Sequence, residues 1–152
     1  MRTPTTLYAA TSAGPGRRPE AEGGGGPGRI RVLLADDHKV VREGIALLLM
    51  GHPRIEVLGH AGDGQEAVER ARQMNPDVVL MDVTMPRLNG IEATRILCQE
   101  LPQVRVVGLS IHTDAETERL MRAAGAVAYL PKDGDPDDLI DIIVQCVADE
   151  SS

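Results

Sequence analysis

The sequence predicts an α/β domain built as an open, doubly wound parallel sheet of five β–α units. Three observations carry that expectation. Short aliphatic runs alternate regularly with longer segments of helical period from residue 30 onward. The runs carry few charges, as strands buried on both faces of a parallel sheet must. Five such units fit in the about 120 residues of 30–148, too few for an eight-stranded closed barrel but enough for one core without disulfides or a structural metal.

The first run, 30–35, precedes an amphipathic segment marked by Val40, Val41, Ile45, Leu48 and Leu49. The second, 56–61, leads into Ala67, Val68 and Ala71, with Asp63 and Glu66 at the spacing of a capping box. The third, 77–81, is followed by a helix bearing Ile91, Thr94, Arg95, Ile96 and Leu97. The fourth, 104–109, precedes Leu120, Met121 and Ala124, with Thr113 and Glu116 again at capping-box spacing and Gly125 as a left-handed stop. The fifth, 126–130, leads through Asp135, a cap, and Pro136, at the first helical position, into Leu139, Ile140, Ile143, Val144 and Val147.

Residues 1–29 differ in kind. Gly14-Pro15-Gly16 and Gly23-Gly24-Gly25-Gly26-Pro27-Gly28 leave almost nothing to bury, while ordering the backbone would cost about 1–2 kcal/mol per residue. A disordered head is expected there, a folded domain over 30–148, and a short tail over 149–152. The head holds Arg2, Arg17, Arg18 and Arg29 against Glu20 and Glu22, so the body is more acidic than the formal net charge of −7 for the chain. That balance disfavours binding to a phosphate backbone, and a chain without Trp or Phe lacks stacking platforms for single-stranded nucleic acid. Cys98 and Cys146 have no metal or redox spacing and read as reduced thiols. The longest apolar run, residues 45–50, is too short to span a bilayer and no secretory signal precedes the body, so the expectation is a cytoplasmic protein with no membrane partner.

In open parallel sheets ligands bind outside the carboxyl ends of the strands. There the sequence places Asp36 and Asp37 after the first strand, Asp82 and Thr84 after the third, Ser110 after the fourth, and Lys132 after the fifth. Clustered carboxylates repel one another without a cation, and an all-oxygen set suits Mg²⁺. A carboxylate relieved of that repulsion can act as nucleophile toward a phosphoryl group, while a lysine and a hydroxyl clamp the transferring oxygens.

The stretches Leu33-Leu34-Ala35-Asp36-Asp37-His38, Val79-Leu80-Met81-Asp82-Val83-Thr84-Met85-Pro86, Leu109-Ser110 and Ala126-Val127-Ala128-Tyr129-Leu130-Pro131-Lys132 together resemble the receiver domain of two-component response regulators. Asp37-His38-Lys39-Val40-Val41-Arg42-Glu43-Gly44 and Asn89-Gly90-Ile91-Glu92-Ala93-Thr94-Arg95 look like its NarL/FixJ (LuxR-type) branch. The resemblance covers 30–148 and implies the flavodoxin-like, CheY-like receiver fold. It implies Asp82 as phosphoacceptor, Asp36, Asp37, Asp82 and the backbone carbonyl of Thr84 as Mg²⁺ ligands, Ser110 as the switch hydroxyl, Lys132 as the phosphate-pairing lysine, and Tyr129 as the switch aromatic. The implied donor is the phosphohistidine of a sensor histidine kinase. Homodimerisation is implied through either the first and fifth helices or the fourth-to-fifth face. DNA would be met only through an output domain outside this chain, which reads either as a stand-alone receiver or, the favoured reading, as a receiver cut from a longer regulator. Ile111, where the wider family often has a small residue, and Thr84 with His112, which stand where water reaches the acyl phosphate, imply slow self-dephosphorylation, on the order of minutes or longer.

Four rival readings are weaker. Asp82-Val83-Thr84 lacks the second acid of dehalogenase-type phosphatases and follows the third strand rather than the first. A pseudo-receiver would lack one of the acidic pair, the acceptor or the lysine, and all are present. Gly59, Gly62 and Gly64 do not have dinucleotide-loop spacing, and His38, His52, His60 and His112 are too scattered in sequence to suggest a metal site.

Overall fold

The computed structural model describes residues 29–111 and 114–151, the side chains of 149–151 excepted. All but the last residue of the head expected over 1–29, and His112 and Thr113, therefore lie outside the described residues. Among the described residues, five strands, β1 (Ile30–Ala35), β2 (Ile55–Ala61), β3 (Val78–Asp82), β4 (Arg105–Ser110) and β5 (Ala128–Pro131), alternate with five helices. These are α1 (Lys39–Met50), α2 (Gly64–Met74), α3 (Gly90–Glu100), α4 (Ala115–Ala124) and α5 (Pro136–Ser151). The strands form one parallel sheet in the order β2-β1-β3-β4-β5. The expected fold class is the one observed.

The two-residue period of a strand explains why aliphatic runs were needed rather than alternating ones. Leu33, Ala35, Val79, Met81 and Val106 point to one face and pack with α2, α3 and α4. Val32, Leu34, Val78, Leu80, Val107 and Leu109 point to the other and pack with α1 and α5. Every one of these side chains is buried. Tyr129 is buried as well, beyond the half-buried position a strand aromatic commonly takes.

Three local expectations change. Val40, counted among the core-facing residues of the first helix, is 82% exposed, because Ala46 and Leu49 face the sheet and Val40 falls on the opposite side of the helix. The cap of α4 is Asp114, whose carboxylate accepts the Thr117 N–H at 2.7 Å, so the helix starts one residue later than a Thr113 cap would place it. Helix α5 runs through Ser151, past the boundary drawn at 148. At α2 the box is present in modified form. Asp63 accepts from Glu66 N at 2.8 Å, while the Glu66 carboxylate accepts from Gly62 N, one residue earlier than the usual partner. Gly125 ends α4 at φ 122°, a conformation that strains any residue with a Cβ.

Asp63 carries a second load. Its Oδ2 accepts from Arg87 Nε at 3.0 Å, tying the loop after β3 to the start of α2. Chiefly the Glu66 N–H, then Arg87, hold its carboxyl below the ordinary value. A depressed acid contributes stability above its unfolded pKa of about 3.9 and loses it as pH falls through the folded value. Asp63→Ala is therefore expected to cost about 1–2 kcal/mol at pH 7 in urea unfolding. The gap from wild type should close in acid; a gap that persists when the carboxyl is protonated would contradict this account.

Candidate functional site

Because all five strands run the same way, their carboxyl ends share one edge. Strand β1 lies between β2 and β3, so the crevice where the chain switches direction opens at the ends of β1 and β3. Ala35 pairs with Met81 in that register, which sets Asp36 and Asp82, the next residues, side by side. Asp82 pairs with Leu109, Ser110 with Pro131, and the Lys132 N–H donates to the Ser110 carbonyl at 2.9 Å, carrying the same edge across to the lysine.

Lys132 Nζ lies 2.9 Å from Asp36 Oδ2 and 3.2 Å from Asp82 Oδ2, with both carboxylate side chains 4% exposed. These two buried oxygens, one from each carboxylate, are thus ion-paired to the same ammonium. The other oxygens are held by the backbone: Asp36 Oδ1 accepts the His38 N–H at 2.8 Å and Asp82 Oδ1 the Thr84 N–H at 3.2 Å. Arg42 Nη1 donates to the Asp36 carbonyl at 2.7 Å, pinning the turn that presents Asp37.

Two carboxylates around one lysine leave the site negative. Burial, then repulsion from Asp36, pushes Asp82 up to about 6 against the pull of Lys132 and the Thr84 N–H. Burial works to lower Lys132, but Asp36 and Asp82 outweigh it and hold the ammonium above its ordinary value. One donor atom each from Asp36, Asp37, His38 and Asp82 falls within 4.8 Å of the others, an arrangement able to hold a cation. A cation there would supply the charge that the single lysine leaves unmatched.

The residues expected to act together thus divide. Asp36, Asp37, Asp82 and Lys132 meet directly. Thr84 supplies a backbone N–H while its side chain is exposed. Ser110 sits at the same edge through its backbone link to Lys132. Tyr129 lies below it, against Gly108, where an added Cβ would stand 3.1 Å from Tyr129 Cδ1 and 2.7 Å from Met121 Cε. Ile111 is 57% exposed rather than folded over the site. Sequence reasoning missed His38, which joins the cluster, and Arg42 and Arg87, which hold its loops. For His38 the signal was present in its place directly after the acidic pair.

An open, doubly wound α/β domain with a lysine-bridged acidic site at the switch point is the class that fold and geometry define. Residues 32–144 match the model of the response regulator receiver domain, and the chain belongs to that family. It is 44% identical over 115 residues to the transcriptional regulatory protein DegU of Brevibacillus brevis, covering 76% of this chain and 49% of that protein. It is 43% identical over 114 residues to LiaR of Bacillus subtilis, covering 75% of this chain and 54% of that protein. The chain spans about half the length of these curated relatives. Among solved structures, the signal receiver domain of NarL from Mycobacterium tuberculosis aligns with a TM-score of 0.72 at 31% identity, over 81% of this chain and 96% of that one. A LuxR-family two-component response regulator from Aurantimonas aligns with a TM-score of 0.75 at 36% identity, over 78% and 85%. These neighbours place the chain in the NarL/LuxR-type branch. Among the described residues, no helix is long and apolar enough to cross a membrane.

Proposed function

We propose that this receiver accepts a phosphoryl group on Asp82 from the phosphohistidine of a sensor kinase and converts that event into a surface change read by an output domain. The observation that carries the proposal is the Asp82 carboxylate, buried at the end of a central strand and bridged to Asp36 by Lys132. An Asp82 oxygen attacks phosphorus, the O–P bond forms as the N–P bond of the donor breaks, and the donor imidazole leaves with the electron pair. Lys132 stays within reach of the transferred oxygens and the Ser110 hydroxyl donates to one of them. Asp36, Asp37, Asp82 and the Thr84 carbonyl would hold Mg²⁺, which supplies charge neutralisation to the phosphoryl oxygens when bound. Hydrolysis of the acyl phosphate by the same domain resets it.

The switch would run from Ser110 to Tyr129, whose ring is buried against Gly108 and Met121, two packings separated by a few kcal/mol and biased by one local charge. The output is transcriptional control through a DNA-binding domain, by analogy with the regulators it resembles, with dimerisation as the step between. A phosphatase or a pseudo-receiver of the same fold makes different predictions. Intact-protein mass after incubation with Mg²⁺ and acetyl phosphate is expected to show one added phosphoryl group in the wild type and none in Asp82→Ala. A folded wild-type chain that gains nothing overturns the reading.

A further inference from the structure

The acidic cluster contains a donor of another kind. His38 Nδ1 lies 3.1 Å from Asp37 Oδ1 and 3.4 Å from Asp36 Oδ1. Two ligands about 2.0–2.2 Å from a common cation stand about 3.0 Å apart at a right angle and about 3.4 Å apart at the tetrahedral angle. The imidazole and the two carboxylates therefore already have the separations of neighbouring ligands on one ion. Opposite ligands would be about 4.2 Å apart, so the 4.8 Å span of the set with Asp82 closes by a fraction of an ångström.

The oxygens facing His38 are not those that Lys132 occupies. Asp36 presents Oδ2 to the lysine and Oδ1 to the imidazole, so the cation position and the lysine lie on opposite edges of one carboxylate. The inner wall is built from Asp36 and Asp82, each more than nine-tenths buried, while Asp37 and His38 are 31% and 57% exposed and leave an entry from solvent. The His38 side chain makes no capping bond to α1, so the helix does not need the imidazole where it stands.

From this geometry we propose that His38 supplies a nitrogen ligand to the cation site, and that the site takes first-row divalent cations such as Mn²⁺, Co²⁺ or Zn²⁺ more tightly than Mg²⁺. The inference rests on the reading of the acidic cluster as a cation site, and it alters which cation that site prefers. Mg²⁺ favours oxygen ligands and keeps its waters, whereas imidazole strengthens binding of the later metals along the Irving–Williams order. A receiver carrying such a ligand responds to the transition-metal content of its surroundings as well as to its kinase.

The test is pulsed electron paramagnetic resonance on the full chain loaded with Mn²⁺, where a directly bound imidazole shows nitrogen hyperfine coupling, with wild type compared to His38→Gln. Coupling is expected in the wild type and is lost in the variant. Calorimetric titration should show Co²⁺ affinity lowered about tenfold or more by His38→Gln, with Mg²⁺ affinity unchanged. Bound Mn²⁺ without nitrogen coupling, coupling that survives in the variant, or an equal loss for both metals overturns the role of His38 and leaves the cation site standing. No Mn²⁺ binding by the folded wild type overturns the cation reading along with it, while the mass gain on Asp82 tests phosphoryl acceptance separately.

Discussion

Lys132→Met is expected to lower stability by about 2–4 kcal/mol in urea unfolding at pH 7 without divalent cations, and to lose less when Mg²⁺ is present. The lysine is the positive partner of two carboxylates that are each 4% exposed. Removing one member of a buried ionic set leaves the others uncompensated, at a cost of about 3–5 kcal/mol. The lower end applies here because Asp82, already pushed up to about 6 by burial and Asp36, can take a proton and relieve part of the repulsion. A cation between the carboxylates replaces the lost charge, so the deficit should shrink with metal. A lysine held above its ordinary value contributes fully below its unfolded pKa and loses that contribution only as pH rises through the folded one, so the wild-type bridge is intact throughout the neutral range. Phosphoryl acceptance should slow about 10²–10³-fold, the usual effect of deleting one charge-stabilising donor. Unchanged stability, or a deficit indifferent to cations, would show that the lysine is a bystander.

Gly90→Ala is expected to cost about 3 kcal/mol or more and to lower acceptance at Asp82 in the same variant. The first residue of α3 is pressed against the end of β3: a Cβ at 90 would overlap the Asp82 carbonyl oxygen and stand 2.8 Å from Val83 Cα. Overpacking usually costs about 1–3 kcal/mol, and the upper end or beyond applies where the obstacle is backbone rather than a movable side chain. The Gly90 N–H also donates to the Val83 carbonyl at 2.9 Å, so the helix cannot withdraw without losing that bond. The displaced peptide is that of Asp82 itself, which links stability to function. Gly44→Ala is the control. Nothing lies within 4 Å of a Cβ there, and the exposed position in α1 should gain up to about 1 kcal/mol. Equal stability of Gly90→Ala and wild type in thermal unfolding would refute the close packing of α3 on β3.

Much of this molecule was legible in one dimension. The period of the apolar residues and the scarcity of charge in runs such as 30–35 and 77–81 are local properties, and they determine strand against helix. Once five such runs are parallel, their ends must share an edge, so Asp36, Asp82, Ser110 and Lys132 gather by topology before any distance is known. What the tertiary structure alone decided are relations between residues far apart in the chain. It turns Lys132 to Asp36 and Asp82 rather than to Asp37, and sets Arg87 on Asp63. It leaves Val40 in solvent and brings the Leu88 carbonyl so close to residue 64 that a Cβ there would overlap it. Each of these depends on how two elements pack at the scale of an ångström, where the period of a sequence carries no information. Hence residue types and edges follow from pattern, whereas partners, burial and the imidazole beside the acidic pair follow only from packing.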